Sequence, residues 1–86
     1  MKGGPLHIVR RRADALAAAM IADQGRRGPV GVVLVEDGVL ANIPPGPSVW
    51  ANADDVTARG ITTPHRLIGY DEMAELVVAA SRVTVW

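Results

Sequence analysis

Two carboxylates directly follow a buried apolar run, and they are the first residues to consider for chemistry. Glu36 and Asp37 come after Gly31–Val35 and before Gly38. An unbroken β-branched run of this length is typical of a strand buried on both faces, as in a helix-covered parallel sheet. Ligands meet such sheets at the strands' carboxyl ends, so Glu36 and Asp37 are candidates for acid–base chemistry or metal binding. A solvated turn or a subunit contact is the favoured explanation, because the other ligands expected of a metal site are missing.

Histidine, the other side chain suited to proton transfer near neutral pH, occurs twice. His7 lies inside the apolar run Leu6–Val9, where a packed or hydrogen-bonded histidine is favoured over a proton-transfer role. His7 and His65 are too isolated in sequence to indicate a zinc site. Neither Ser48 nor Ser81 lies in a Gly-x-Ser-x-Gly motif, so the sequence does not predict a serine nucleophile.

The sequence contains no residue or motif that indicates thiol chemistry or phosphate binding. The chain contains no cysteine, which excludes disulfides, cysteine-based zinc sites and persulfide chemistry on this chain. The glycine-rich fingerprints that cradle phosphates are absent as well. We therefore expect no cofactor and no catalytic activity of the chain's own.

Arginines and tryptophans are the remaining candidates for contact with a partner. Arg10–Arg12 could contact phosphate, but nine basic residues balance nine acidic ones, which favours a solvated basic loop. The same balance argues against direct binding to nucleic acid. Trp50 and Trp86 are expected to pack in the core or at a subunit contact. The candidate interface or strand-end site therefore comprises His7, Glu36, Asp37, Gly38, Trp50 and Trp86.

Apolar runs, caps and breakers predict five strands that alternate with helical segments. The predicted strands are Leu6–Val9, Val30–Val35, Ser48–Ala51, His65–Ile68 and Val83–Trp86. The predicted helices are Ala13–Gln24, a helix from an N-cap at Asn52 to Arg59 with Gly60 as its αL residue, and a helix from a cap at Asp71 to Ser81.

The apolar positions predict which helix faces are buried. Ala13, Leu16, Ala17, Met20 and Ile21 share one face of the first helix, and Met73, Leu76, Val77 and Ala80 share one face of the last. Helical turns over Val39–Ile43 and the loop Pro44–Pro47 complete the chain. The alternation predicts a three-layer α/β/α fold with a mainly parallel sheet of about five strands.

Length and composition predict one domain, residues 1–86, with part of its apolar surface covered by another subunit. Hydrophobic residues make up 49% of the 86 residues. A chain this short has a modest core, so a high apolar content favours burial in an assembly. The chain lacks an apolar run of about 18 residues, and the stretch Met1–Leu6 lacks the apolar region of a signal peptide. We expect a cytoplasmic protein without membrane contact.

Five segments then form a pattern that covers nearly the whole chain: Leu6–Val9, Leu34–Val39, Asp54–Ile61, Ile68–Met73 and Val85–Trp86. In order and spacing they resemble the DsrH/TusB family of sulfur-relay proteins. The Arg10–Arg12 run and the Pro44–Pro47 loop have no counterpart in that resemblance.

The resemblance implies a DsrE/DsrF/DsrH-like fold and a heterohexamer with DsrE/TusD-like and DsrF/TusC-like subunits. Such assemblies serve 2-thiolation of the tRNA wobble uridine or intracellular sulfur oxidation, and the principal sulfur-carrying cysteine belongs to the DsrE/TusD-like partner. A chain without cysteine then has the non-catalytic, TusB-like role, and no catalytic residue is carried over. The alternative is a diverged homo-oligomer of the same fold with a regulatory or small-ligand-binding role.

Overall fold

The computed structural model describes residues 3–46 and 48–86. Met1 and Lys2, and Pro47 of the predicted proline loop, lie outside the described residues. The strands are β1 (Pro5–Val9), β2 (Gly31–Leu34), β3 (Val49–Asn52), β4 (Arg66–Ile68) and β5 (Arg82–Val85). The helices are α1 (Ala15–Arg27), a 3-10 helix (Glu36–Leu40), α2 (Ala53–Ala58) and α3 (Tyr70–Ala79).

The five strands form one sheet in the order β4-β3-β2-β1-β5, and every neighbouring pair is parallel. The predicted α/β class and parallel sheet are confirmed. Because the chain moves stepwise from β1 to β4 and then crosses back to β5, β4 and β5 are the two edges. None of the helices in the described part of the chain has the length and hydrophobicity needed to cross a membrane.

The core has two parts, one on each face of the sheet, because side chains alternate along the central strands. Val32 and Leu34 pack with residues of α1, the 3-10 helix and α2. Val33 and Val35 pack on the opposite face with Trp50 and with residues of α3. All four residues of β2 are buried, as the unbroken apolar run predicts.

The first helix differs from the prediction in the residue at which it begins and in the side chains that it buries. Asp14 is its N-cap and accepts a 3.0 Å hydrogen bond from the Ala17 N–H, so the helix starts at Ala15 and continues to Arg27. Ala17 is buried and Ile21 packs on the core, whereas Leu16 is 63% exposed. Met20 is exposed too, so the predicted apolar stripe was only partly right.

Of the short helices, α2 follows its local sequence signals, whereas the 3-10 helix begins earlier than predicted. Asn52 caps α2 by accepting a 3.1 Å hydrogen bond from the Asp55 N–H, as predicted. Gly60 has a φ of 60°, the left-handed conformation that the pattern predicts. The turns expected from Val39 begin earlier, at Glu36, because Gly38 enters the 3-10 helix instead of ending the strand.

The last helix lies loosely on its face of the sheet. It starts at Tyr70, so the predicted cap at Asp71 is wrong; Gly69 precedes the helix and donates its N–H to the Glu72 carboxylate at 3.4 Å. Met73, Leu76 and Ala80 pack on the core as expected. No residue of α3 reaches full burial, and Val77, predicted to face inward, is exposed.

Candidate functional site

The turn after β2 holds Glu36 in a strained conformation. Glu36 has a φ of 52°, a region that non-glycine residues seldom adopt. Its N–H donates a 2.8 Å hydrogen bond to the Asp55 carboxylate, which lies in the first turn of α2. The capping geometry of α2 therefore fixes the turn, while the Glu36 side chain points to solvent.

The carboxylate of Asp37 is engaged with an arginine. Nε and Nη2 of Arg59 donate to the same Asp37 oxygen at 3.1 and 3.0 Å. A second contact ties Arg59 to α2, where Nη1 donates to the Asp55 carbonyl oxygen at 3.2 Å. The pair joins the 3-10 helix to the end of α2, and a carboxylate held this way is better suited to positioning elements than to proton transfer.

Gly38 lies where no larger residue fits. A Cβ at this position would overlap the Val9 carbonyl oxygen and lie 2.7 Å from the Val9 carbonyl carbon. The same Val9 oxygen accepts a 3.0 Å hydrogen bond from the Val35 N–H. The Glu36–Gly38 turn therefore crosses directly over the carboxyl end of β1, which explains the glycine by close approach of two backbones.

His7 is the buried centre of a hydrogen-bond chain. Trp86 Nε1 donates to His7 Nδ1 at 2.9 Å, and His7 Nε2 lies 2.7 Å from the Gln24 side-chain oxygen. An indole nitrogen can only donate, so Nδ1 must be the acceptor and Nε2 carries the proton given to Gln24. The two rings are nearly parallel, with an angle of 17° between their planes and 6.1 Å between their centroids.

The geometry at His7 favours the packed, hydrogen-bonded alternative over proton transfer. The residue is 1% exposed, and both ring nitrogens have partners. The structure does not bring His7 together with Glu36 or Asp37, whose polar contacts go to α2. His7 and Trp86 form one unit across β1, β5 and α1, and the 3-10 helix turn forms another.

Trp50 belongs to neither unit. It is buried in the core under α3, on the face opposite Trp86. Asn52, two residues later, is fully buried, and its side-chain Nδ2 has no hydrogen-bond partner among the described residues. Its Oδ1 is the α2 cap, so the amide is positioned by that helix.

His65 is buried just before β4. Its backbone N–H donates to the Thr63 hydroxyl at 3.2 Å, and its Nδ1 has no partner within the described part of the chain. Burial lowers the pKa of His65 from its ordinary value of 6.5, because removal from water disfavours the charged form.

The basic run lies at the carboxyl end of β1. Arg10 Nε donates to the Trp86 carbonyl oxygen at 3.2 Å, and Arg11 is 3.8 Å from the Asp14 carboxylate. All three arginines are exposed. Within residues 3–46 and 48–86, no three His, Asp or Glu side chains come together in a way that could hold a metal ion.

An apolar cavity lies at the opposite end of the sheet from the carboxyl-edge residues. It has a volume of about 490 Å³ and lies between α1 and the loop that leads to β3. Its walls are mostly apolar, and they include Ala18, Ala22, Ile43, Pro44 and Val49. The sequence did not predict this cavity. Small residues one helical turn apart on α1, followed by a proline-rich loop, are a pattern that could indicate it.

Exposed apolar side chains on α3 and on β5 form two further surfaces that the sequence did not locate. Val78 is 86% exposed, and Tyr70 and Val77 are exposed on the same helix. On β5, Val83 and Val85 are 37% and 54% exposed. Neighbouring apolar side chains left in water are typical of a surface that another protein covers.

Comparison of the chain with protein-family models, curated proteins and solved structures finds no match.

Proposed function

We propose that the chain is a non-catalytic subunit of a sulfur-relay complex of the DsrE/DsrF/DsrH type, which supports a cysteine-bearing DsrE/TusD-like partner. The observation that carries the proposal is the exposed apolar surface of α3 on a chain without any thiol. A chain without cysteine cannot carry a persulfide. A helix with no buried residue and an 86% exposed valine is suited to burial in an assembly.

The positions of the five segments of resemblance support the proposal. Leu6–Val9 lies in β1, and Leu34–Val39 runs from β2 into the 3-10 helix. Two of the segments touch each other through the Asp37–Arg59 ion pair. This pair positions two elements of the fold and is engaged within the chain, as we expect of a supporting subunit.

Two of the three candidate acid and base residues, Asp37 and His7, are engaged in contacts within the chain, which also favours a non-catalytic role; the third, Glu36, is exposed. Asp37 is paired with Arg59, and His7 is buried between Gln24 and Trp86. General acid–base catalysis needs such groups free to reach a substrate proton. The best supported role for these groups is to position helices and strands.

Co-purification tests the proposal. The chain, carrying an affinity tag, is expressed with DsrE/TusD-like and DsrF/TusC-like subunits from its own host and studied by native mass spectrometry. We expect an assembly that contains all three chains and a reactive cysteine on a partner. A chain that stays free of both related subunits overturns the proposal.

A pair of lysine substitutions places the contact surface. Val78→Lys on α3 should abolish capture of the partners, since a charge cannot be buried in an apolar contact without a large desolvation cost. Leu16→Lys, on the opposite helical layer, should leave capture unchanged. Both side chains are more than half exposed, so neither change disturbs the core.

The apolar cavity beside α1 favours small-ligand binding as the second candidate function. Its volume of about 490 Å³ lies within the range of known ligand pockets. Chemical shifts of Ile43 and Val49 on addition of small apolar fragments test this function. Ala22→Leu fills the cavity and should remove any shift, and the absence of shifts in the unmodified chain contradicts this candidate.

A further inference from the structure

The two edges of the sheet differ in how well they are protected from other strands. An edge strand presents unpaired backbone groups, and natural proteins blunt such edges with short strands, charges and prolines. β4 is three residues long, begins at the exposed Arg66 and follows Pro64 closely. β5 has its only charge, Arg82, at its first residue and continues as Val83–Val85. The β5 edge is therefore the unprotected one.

Two residues of β5 direct their backbone N–H and C=O groups away from the sheet. The Trp86 N–H donates to the Ile8 carbonyl at 2.8 Å, and its carbonyl accepts from the Arg10 N–H. Strand residues alternate in direction, so Thr84 also faces β1, and the N–H and C=O groups of Val83 and Val85 point away from the sheet. Among the described residues, β5 pairs with β1 alone.

We propose that β5 pairs with β5 of a second copy of this chain, antiparallel and centred on Thr84, to form a continuous ten-stranded sheet. In this register Val83 of each copy lies opposite Val85 of the other. Both residues have outward-facing backbone groups, so the two copies form two fully hydrogen-bonded residue pairs. Thr84 then meets Thr84 of the second copy as a non-hydrogen-bonded pair on the two-fold axis.

The side chains are self-complementary in the same register. Val83 and Val85 align with Leu6 and Ile8 of β1, so they lie on the face of the sheet that α3 covers. Four half-exposed valines from the two copies then cover one another there. On the other face, Arg82 of each copy lies opposite Trp86 of the other, a pairing that a cation–π contact favours.

Other registers are less favourable. A shift by one residue places outward-facing groups opposite inward-facing ones, so the backbone hydrogen bonds cannot form. Centring on Val85 leaves Val83 without an opposite residue in the strand. Centring on Val83 places Val85 opposite Ser81, outside the strand, so only the register centred on Thr84 pairs every residue from Val83 to Val85 within β5. The inference goes beyond the proposed function and does not depend on it, because it concerns the isolated chain.

Disulfide cross-linking of the purified chain tests the inference. The chain has no cysteine, so Thr84→Cys introduces a single thiol that can form a disulfide only with another copy. Opposite residues in a non-hydrogen-bonded pair have Cα atoms about 4.5 Å apart, which suits a disulfide. We expect a covalent dimer to form at least about tenfold faster than for the control, because pairing raises the local thiol concentration.

The matched control is Leu67→Cys, an exposed position in the middle of the other edge strand. Native mass spectrometry of the unmodified chain should give a dimer, and Val85→Lys should convert it to a monomer with unchanged circular dichroism. A monomeric unmodified chain overturns the inference, and so does a dimer in which Thr84→Cys cross-links no faster than Leu67→Cys. Both readouts are independent of capture of related subunits, so failure of one proposal is distinguishable from failure of the other.

Discussion

At the scale of single residues, Gly38 is a position where the backbone leaves no room for a side chain. The Glu36–Gly38 turn crosses over the end of β1, so any Cβ at Gly38 meets the Val9 carbonyl. Gly38→Ala should destabilise the chain by about 1–3 kcal/mol, the usual cost of overpacking. Urea unfolding measures the loss.

The matched control for that substitution is Gly25→Ala. Gly25 lies within α1, and a Cβ there meets nothing within 4 Å. Alanine favours a helix over glycine by about 0.5–1 kcal/mol, so this variant should gain stability. Equal effects at the two glycines would contradict the close-approach explanation.

Trp86 is expected to contribute through its indole N–H as well as through packing. Trp86→Phe removes the donor to His7 Nδ1 and leaves a buried acceptor unpaired, which should cost about 1–3 kcal/mol. A double-mutant cycle with His7→Leu measures the coupling by urea unfolding. The double variant should lose less than the sum of the single variants, and strict additivity would contradict the hydrogen bond.

His65 should make stability depend on pH in a defined direction. Burial lowers the pKa of the folded-state imidazole below 6.5, so the unfolded chain binds a proton more readily. The free energy of unfolding therefore rises with pH through this window; the contribution is complete above 6.5 and is lost as the pH falls toward the folded-state pKa.

Urea unfolding between about pH 5 and pH 8 measures this dependence, and His65→Gln serves as the comparison. The variant keeps His7, so the difference between the two curves belongs to His65. The unmodified chain should lose more stability than His65→Gln as the pH falls. Parallel curves would contradict the prediction.

At the scale of elements, the Asp37–Arg59 pair joins the 3-10 helix to α2. The two side chains are partly exposed, so we expect a coupling of about 0.2–1 kcal/mol in a cycle of Asp37→Asn and Arg59→Met. Salt should weaken it. Thermal unfolding of the four proteins at low and high ionic strength measures the coupling, and a coupling that increases with salt would contradict this assignment.

The helices of the two outer layers differ in how they are held. α2 has a side-chain cap, an acidic first turn and the Arg59 contacts to Asp55 and Asp37. α3 has no side-chain cap at its start and no fully buried residue. One layer is therefore fixed within the chain, whereas α3 is completed by contact with another protein in the proposed sulfur-relay assembly.

At the scale of the whole molecule, association should appear in the thermal midpoint. A folded state stabilised by self-association gains stability with chain concentration by mass action. When the chain concentration is raised about a hundredfold, the thermal unfolding midpoint should rise for the unmodified chain and for Leu16→Lys. It should be constant for Val85→Lys, and a constant midpoint in all three proteins would contradict self-pairing.

The sequence by itself determined the order of the elements and the class of fold. The buried run Gly31–Val35, the Asn52 cap and the left-handed Gly60 are local signals, readable because helix and strand periods, caps and turns depend on near neighbours. The absence of cysteine is likewise a fact of the sequence. Helix starts were less well predicted, since the caps at Asp14 and Gly69 compete with equally suitable neighbours.

Only the tertiary structure decided which distant residues meet. His7 and Trp86 are 79 residues apart, and Asp37 and Arg59 are 22 apart, yet each pair is hydrogen-bonded. Their contacts depend on the order in which strands join the sheet, because β5 returns beside β1 while β2 and β3 extend the other way. Local patterns carry no information about that order, and so His7, Glu36 and Asp37, equal candidates in sequence, have separate roles in the fold.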